Sequence, residues 1–178
     1  MPRFVALLRG VNVGKGKRVP MAEWRRLLED LGYRDVETLL NSGNAVFESP
    51  GRSTRNHGEA IRLALQKSLG LEVPVIVKSA AELAAIQEEN TLAREAPDPT
   101  RLLVAFTAEP ADLQSLAGLA ALAVPPERFL LGRHAAYLWC PAGILESQVA
   151  ESLLGKAGRA ATTRNWATVT KIRALLDR

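Results

Sequence analysis

Short apolar runs alternate with helix-like segments along this chain, and their order constrains the fold more than any other feature. The runs at residues 4–8 and 102–107 are too short for buried helices and are typical of buried β-strands. Between such runs, apolar residues recur at helical spacing, as they do from Trp24 to the helix-ending Gly32. The order strand, helix, strand, strand, helix, strand therefore occurs twice, although no residue-level repeat accompanies it.

This repeated order predicts an α+β protein built from two ferredoxin-like (β-α-β-β-α-β) subdomains in tandem, with a C-terminal helix. The predicted strands cover residues 4–8, 36–40, 45–48, 73–78, 102–107, 129–131, 137–140 and 160–163. The predicted helices cover residues 20–31, 56–69, 111–122, 149–154 and 166–176, and a further helix begins at Ser79. The polar residues 91–100, which include two prolines, are predicted to link subdomain 1–90 to subdomain 101–178.

The composition excludes several classes of protein. Of the 178 residues, 47% are hydrophobic and 24% are charged, which is typical of a globular chain and not of a disordered one. No apolar run approaches the roughly 20 residues that cross a bilayer, and the N-terminus lacks the apolar stretch of a signal peptide. The only cysteine, Cys140, cannot form a disulfide framework or hold an iron–sulfur cluster. We therefore expect a cytoplasmic protein that binds neither a metal nor a membrane.

Four ring-bearing side chains are assigned no chemical role. Phe4 and Phe47 fall in predicted strands, and we expect them in the core rather than on a surface that binds nucleic acid. His57 and His134 are the only histidines, and neither has an acidic partner or a metal-ligand spacing nearby. We expect both histidines to be exposed.

The first segment that can carry chemistry is the glycine-rich, basic stretch of residues 9–18. Its three glycines let consecutive backbone N–H groups point to one place, and four Lys and Arg side chains add positive charge. A loop of this kind between a strand and a helix can bind phosphate. It is not a Walker A loop, because Gly16 follows Lys15 where that motif has Ser or Thr. The alternative is a flexible basic loop without a ligand.

The second segment is the polar stretch of residues 41–44, whose Asn and Gly residues are typical of a tight hairpin turn. In the predicted topology this turn lies at the same end of the sheet as the glycine-rich loop. The two segments are therefore expected to be neighbours that can share a polar pocket, and the alternative is an ordinary turn.

The third segment, residues 162–166, opens the last predicted helix. Asn165 has the side chain of an N-cap, and the neighbouring Thr hydroxyls and the Arg164 guanidinium could surround an anion beside the free helix N–H groups. Ordinary helix capping is the alternative, and it explains Asn165 and Thr163 but not Arg164.

Strings within these segments resemble one known protein family. They read LLRGVNVG at residues 7–14, PM at 20–21, SGNAVF at 42–47 and TTRNWATVTK at 162–171. Together and in this order they look like domain-of-unknown-function family 1697, a bacterial, cytosolic family without an assigned reaction. The resemblance supports the predicted architecture and selects the same three segments, but it implies no substrate. This sequence departs from the family pattern at Asn41, where Gln is expected.

The residues favour binding of a phosphate-bearing small molecule, such as a nucleotide, in a cationic and glycine-rich polar site. The net charge of +4 fits an anionic partner. The predicted site residues are Arg9, Asn12, Lys15, Ser42, Asn44, Thr163, Arg164 and Asn165. One alternative is single-stranded nucleic-acid binding through the basic loops, and another is a regulatory or protein-interaction module without ligand chemistry. The sequence assigns no general base, cofactor or oligomeric state.

Overall fold

A computed structural model describes residues 1–14 and 16–178 of the chain, and these form two compact units. The first unit contains Met1–Ala81 together with Ile172–Arg178, and the second contains Glu82–Lys171. The division into subdomains 1–90 and 101–178 stays a prediction.

The first unit is a four-stranded antiparallel sheet with two helices. Its elements are β1 (Arg3–Leu8), α1 (Met21–Asp30), β2 (Arg34–Leu39), β3 (Asn44–Glu48), α2 (Thr54–Leu69) and β4 (Val75–Ser79). The strand order in the sheet is β2-β3-β1-β4, so β1 lies in the interior and pairs with both β3 and β4.

The core of the first unit forms between the apolar face of its sheet and the apolar faces of α1 and α2. Alternate residues of β1, among them Phe4 and Leu8, pack in one cluster with Trp24 of α1 and Ile61 of α2. Each fully buried aromatic or branched side chain of this kind stabilises the fold by about 1.5–3 kcal/mol. Phe47 is also buried, and its ring stacks on Phe4 at 5.5 Å, so the prediction that both belong to the core is confirmed.

The expectation that His57 is exposed is wrong. Its exposed fraction is 7%, and its ring contacts Phe4 and Phe47 edge-on. The Nε2–H group donates to the Gly51 carbonyl over 2.8 Å, and the Tyr33 hydroxyl donates to Nδ1 over 2.8 Å. His57 precedes the buried Ile61 by four residues, so helical spacing places both on the sheet-facing side of α2.

The second unit also forms around a four-stranded antiparallel sheet. Its strands are β5 (Leu102–Thr107), β6 (Arg128–Leu131), β7 (Ala136–Trp139) and β8 (Ala161–Asn165), in the order β6-β7-β5-β8. The remaining helices are α3 (Ala80–Glu89), α4 (Pro110–Gln114), α5 (Gln148–Leu154) and α6 (Trp166–Leu176). The described residues thus form an α+β fold with two sheets and six α-helices. Nowhere in residues 1–14 and 16–178 is a helix both long and apolar enough to cross a membrane.

The single helix predicted for residues 111–122 is instead two elements, α4 and the 3-10 helix Ala117–Leu122. Its buried residues are Leu113, Leu116 and Leu119, which recur every three positions. Hydrogen bonds of 3.0 Å run from Leu116 N–H to the Leu113 carbonyl and from Leu119 N–H to the Leu116 carbonyl. A 3-10 helix has three residues per turn, so it keeps leucines at every third position on one buried face. This spacing explains why the segment forms a 3-10 helix and not a continuous α-helix.

Strand register shows residue-level equivalences between the units that the sequence analysis missed. In the first sheet Ala6 of β1 pairs with Ala45 of β3, and in the second Ala105 of β5 pairs with Ala136 of β7. All four alanines are buried in the helix-side cluster of their own unit. A cross-strand pair of alanines therefore lies at the equivalent position of each sheet, on the face that the helices cover.

A second equivalence joins the last strands of the units. Val5, next to Ala6, pairs with Lys78 of β4, and Val104, next to Ala105, pairs with Arg164 of β8. Lys78 and Arg164 are both buried cations, and each lies two residues before the helix that follows its strand. The repeat thus includes particular residues as well as the order of elements.

We predict that Tyr33→Phe lowers the free energy of unfolding by about 1–3 kcal/mol, because it leaves the buried His57 Nδ1 without its donor. Burial raises the pKa of Tyr33 to about 12, so its hydroxyl remains a donor at neutral pH. Urea unfolding at pH 7 measures the change. A stability within about 0.5 kcal/mol of the wild type would contradict the assigned hydrogen bond.

Candidate anion-binding site

The connection between β1 and α1 is much longer than its counterpart in the second unit. It runs over residues 9–20, whereas the β5–α4 connection consists of Ala108 and Glu109 alone. The same strand-to-helix step is therefore possible with two residues. The length, glycines and charges of the first connection thus exceed what the second unit uses for its corresponding step.

The described part of this loop is anchored at both ends. Val11 and Val19 are buried in the core cluster of the first unit, on either side of Gly14 and Gly16. The Asn12 N–H donates to the Lys17 carbonyl over 2.7 Å, which closes the loop. This hydrogen bond also uses one of the N–H groups that the sequence analysis assigned to a phosphate.

The basic side chains of the loop contact the protein itself. The Arg18 guanidinium donates to the Gly14 carbonyl, and the Lys17 ammonium donates to the Glu72 carbonyl. Arg9 follows β1, is partly buried, and has its pKa lowered by that burial. Lys15 lies outside the described residues.

The side chain of Asn12 joins the loop to the β2–β3 turn. Its Nδ2 donates to the Val19 carbonyl over 2.9 Å and to the Asn41 carbonyl over 2.8 Å, and its Oδ1 accepts from Val19 N–H over 2.9 Å. The loop and the turn are therefore neighbours, as the topology predicted. Asn12 positions these segments, and both of its Nδ2 protons are already used.

Gly43 lets the turn approach β1 closely. Its φ is +85°, and a Cβ at this position would lie 2.8 Å from Leu8 Cβ and 2.9 Å from Val11 Cγ2. Its carbonyl accepts from the Leu8 N–H over 3.0 Å. Both the backbone conformation and the available space therefore require glycine here.

The buried side chain of Asn44 stabilises the same turn through hydrogen bonds. Its side chain is only 1% exposed, and its Nδ2 donates to the Leu39 carbonyl over 2.8 Å and to Ser42 Oγ over 2.9 Å. Asn44 therefore shapes the turn, whereas Ser42 is partly exposed at its surface.

A cleft of about 290 Å³ opens where the loop, the turn and α1 meet. Its lining residues are Asn12, Arg18, Val19, Pro20, Met21 and Asn41. The N-terminus of α1 lies here, and its N-cap residue Pro20 supplies no side-chain hydrogen bond to the helix. A helix N-terminus and a guanidinium both favour an anion, so the cleft has the chemistry of a phosphate site.

Two polar lining residues were absent from the predicted site. Arg18 was counted only as charge, although its place two residues before the helix-starting Pro20 puts it beside the helix N-terminus. Asn41 belongs to the second segment but is not among the predicted site residues. Arg18 and Asn41 reach the cleft because the hydrogen bonds of Asn12 close the loop and join it to the turn. These contacts link separate segments, so no local sequence pattern predicts them.

The third segment lies where it is predicted, except that β8 extends through Arg164 and Asn165, two residues beyond the predicted strand, before α6 begins at Trp166. Arg164 is 7% exposed, and its Nη1 donates to Thr162 Oγ1 and to the Thr163 carbonyl, both over 2.8 Å. Burial lowers the pKa of Arg164 to about 10. Asn165 Oδ1 accepts from Thr168 N–H over 2.9 Å, so its assignment as a helix cap is confirmed.

The predicted site residues thus fall into two groups. Arg9, Asn12, Ser42 and Asn44 lie in the first unit, where Asn12 lines the cleft and Ser42 and Asn44 belong to the adjoining turn, whereas the residues of the third segment lie in the second unit. That all three segments share one site stays a prediction.

Other reactive side chains do not add to the cleft. Cys140 is buried, donates to the Arg101 carbonyl over 3.1 Å, and has its pKa raised to about 11 by burial, so it is a weak nucleophile. His134 is exposed, as expected. Within the part of the chain that the structure describes, no three His, Cys, Asp or Glu residues are grouped to hold a metal.

The structure is an α+β protein with two four-stranded antiparallel sheets, and a polar cleft lies at the start of its first helix. The chain belongs to the family described as "Protein of unknown function (DUF1697)", whose model matches residues 1–137. That match contains the resemblance strings at residues 7–14, 20–21 and 42–47 and ends before the one at 162–171.

One solved structure extends the similarity to nearly the whole chain. It is the conserved bacterial protein SP0830 from Streptococcus pneumoniae, which is 28% identical and superimposes with a TM-score of 0.81 over 98% of each chain. Comparison with curated proteins gives no match.

We predict that Asn12→Ala lowers the free energy of unfolding by about 1–3 kcal/mol, because it removes three hydrogen bonds and leaves both backbone groups of Val19 without this partner. Asn41→Ala is the matched control, since Asn41 takes part through its backbone carbonyl and its side chain is exposed. Urea unfolding compares the two variants, and equal stabilities would refute the joining role of Asn12.

Proposed function

We propose that this protein binds a phosphate-bearing small molecule, of nucleotide type, with its phosphate in the cleft at the N-terminus of α1. The observation that carries the proposal is the difference between two equivalent connections. The fold makes its strand-to-helix step with two residues in the second unit, whereas the first unit uses twelve residues rich in glycine and positive charge.

The distribution of charge supports an anionic ligand. The first unit has 15 Lys and Arg against 9 Asp and Glu, a net charge of +6, and the second has 8 against 10, a net charge of −2. The excess positive charge is therefore in the unit that contains the cleft. Such a field raises the local concentration of anions and speeds their association.

The size and lining of the cleft favour binding over catalysis. A volume of about 290 Å³ is near the lower end for ligand pockets, and it suits a phosphate group with the remainder of the molecule outside. Among the described lining residues there is no carboxylate, histidine or cysteine to act as a general base or nucleophile.

We also infer a ferredoxin-like topology for both units. The order β-α-β-β-α-β and the interior position of the first strand of each sheet support this inference. The similarity to a conserved bacterial protein supports a bacterial origin, and the resemblance to a cytosolic family favours a cytoplasmic location.

We propose that three residues of the third segment, Thr163, Arg164 and Asn165, also contact the ligand, with Arg164 as the main contact. Burial destabilises its charged form, and a bound anion would offset that effect. The Thr162 hydroxyl and Thr163 carbonyl hold Nη1 in a fixed position, which preorganises the guanidinium.

The proposal predicts a ligand-dependent rise in melting temperature that Arg18→Gln reduces. A ligand at about one hundred times its dissociation constant adds roughly 2.7 kcal/mol, which raises the melting temperature by about 5–10 °C for a chain of this size. The probes are ATP, inorganic phosphate and a short single-stranded RNA. Arg52→Gln is the matched control, because it removes the same charge from an exposed position of the first unit outside the cleft lining.

The outcomes separate the alternatives. A rise with ATP that persists in Arg52→Gln and falls in Arg18→Gln supports the cleft. A rise with RNA alone that disappears as salt increases favours nucleic-acid binding. The absence of any rise favours a protein-interaction module.

A second pair of variants tests the third segment. We predict that Arg164→Ala abolishes the rise with ATP and that Arg164→Lys, which keeps the charge, retains part of it. Circular dichroism first establishes that each variant is folded. A folded Arg164→Ala with wild-type ATP binding would remove the third segment from the site and leave the cleft as the binding site.

A further inference from the structure

The β6–β7 turn of the second unit, residues 132–135, surrounds the carboxylate of Glu89. The Arg133 N–H donates to Glu89 Oε1 over 2.5 Å, and the His134 N–H donates to Oε2 over 3.1 Å. The buried Tyr137 hydroxyl donates to Oε2 over 2.6 Å. Two successive backbone N–H groups and a phenol therefore converge on one carboxylate, an arrangement that binds anions.

Gly132 shows that the turn is shaped around this carboxylate. A Cβ at Gly132 would collide with Glu89 Oε2, although its φ is not in the left-handed region. The side chain of Glu89 therefore occupies the space that any other residue at position 132 would need.

The charge of Glu89 is stabilised by this turn. Burial raises its pKa, but the hydrogen bonds from Tyr137, Arg133 and His134 outweigh burial and hold the pKa below its ordinary value. The positive charge that His134 can carry acts in the same direction.

We propose that the β6–β7 turn is a carboxylate-binding site whose resident ligand is the side chain of Glu89, and that it accepts a small free carboxylate when that side chain is removed. Glu89 is the last residue of α3, so the occupied site fastens the end of this helix to the second sheet. The inference is independent of the proposed function. The two units are nevertheless comparable, because the corresponding β2–β3 turn of the first unit borders the cleft in which we propose that phosphate binds.

Removal of the resident carboxylate is the direct test. We expect Glu89→Ala to lower the melting temperature at pH 7 by roughly 4–10 °C, and 100 mM sodium acetate to restore about 3–5 °C of it relative to sodium chloride at equal ionic strength. Tyr137 keeps a partner in this variant, because its hydroxyl also lies 3.0 Å from the Ile86 carbonyl. Glu88→Ala is the matched control, since Glu88 is the exposed neighbour with the same side chain.

Gly132→Ala provides a second test that needs no added ligand. In the wild type the new methyl group collides with the Glu89 carboxylate, whereas in Glu89→Ala the space is open. We expect Gly132→Ala to lower the melting temperature in the wild type, because the Glu89 carboxylate must leave its hydrogen bonds to the turn, and by less than a third as much in the Glu89→Ala background.

Two results would overturn the proposal. One is an acetate effect of equal size in Glu89→Ala and Glu88→Ala, which would show a general salt effect. The other is an equal loss from Gly132→Ala in both backgrounds, which would show that the turn is not built around the carboxylate. Neither result bears on ATP binding, so a failure here is distinct from a failure of the proposed function.

Discussion

The three hydrogen bonds of the Asn12 side chain determine where the long loop of the first unit lies. Val19 is buried and belongs to no strand, so its backbone groups lack a ladder partner. The amide of Asn12 supplies that partner by pairing with both backbone groups of Val19, and its remaining proton reaches the Asn41 carbonyl. One side chain thus satisfies buried backbone groups and brings the loop, the turn and the helix start together. The cleft exists because these three segments meet.

Because the two units share the same order of elements, comparing them separates features that both need from features found in one alone. Features that both retain, such as the Ala6–Ala45 and Ala105–Ala136 pairs, reflect what the shared fold needs, because helices pack closely over these small residues. The β1–α1 connection is six times as long as its counterpart, and we propose that its additional residues serve ligand binding. Both units also bring polar groups to the hairpin turn of their sheet. In the second unit an internal carboxylate occupies that place, and in the first we propose an external phosphate.

Periodicity predicted most of the fold, and tertiary contacts account for what it missed. The strands and the longer helices followed from alternation and from helical spacing, because burial of one face imposes both patterns. The 3-10 helix Ala117–Leu122 was missed because a row of Leu at every third residue resembles an α-helical stripe over a short stretch. His57 was placed at the surface because its partners, Tyr33 and Gly51, come from other segments. The glycine-rich loop was identified correctly as a distinctive segment, but the closing bond from Asn12 to Lys17 and the lining role of Arg18 depend on the folded loop.

The most direct test of the central claim is a titration of the ¹⁵N-labelled protein with ATP, followed by amide chemical shifts. The account predicts saturable shifts at residues 10–14, 16–19 and 40–44 around the cleft, and at the proposed contacts 163–165 of the third segment. The equivalent connections of the second unit, residues 108–109 and 132–135, should remain unchanged. Shifts that are absent, or that scatter over exposed basic residues without saturation, would contradict the assignment of the long loop to ligand binding.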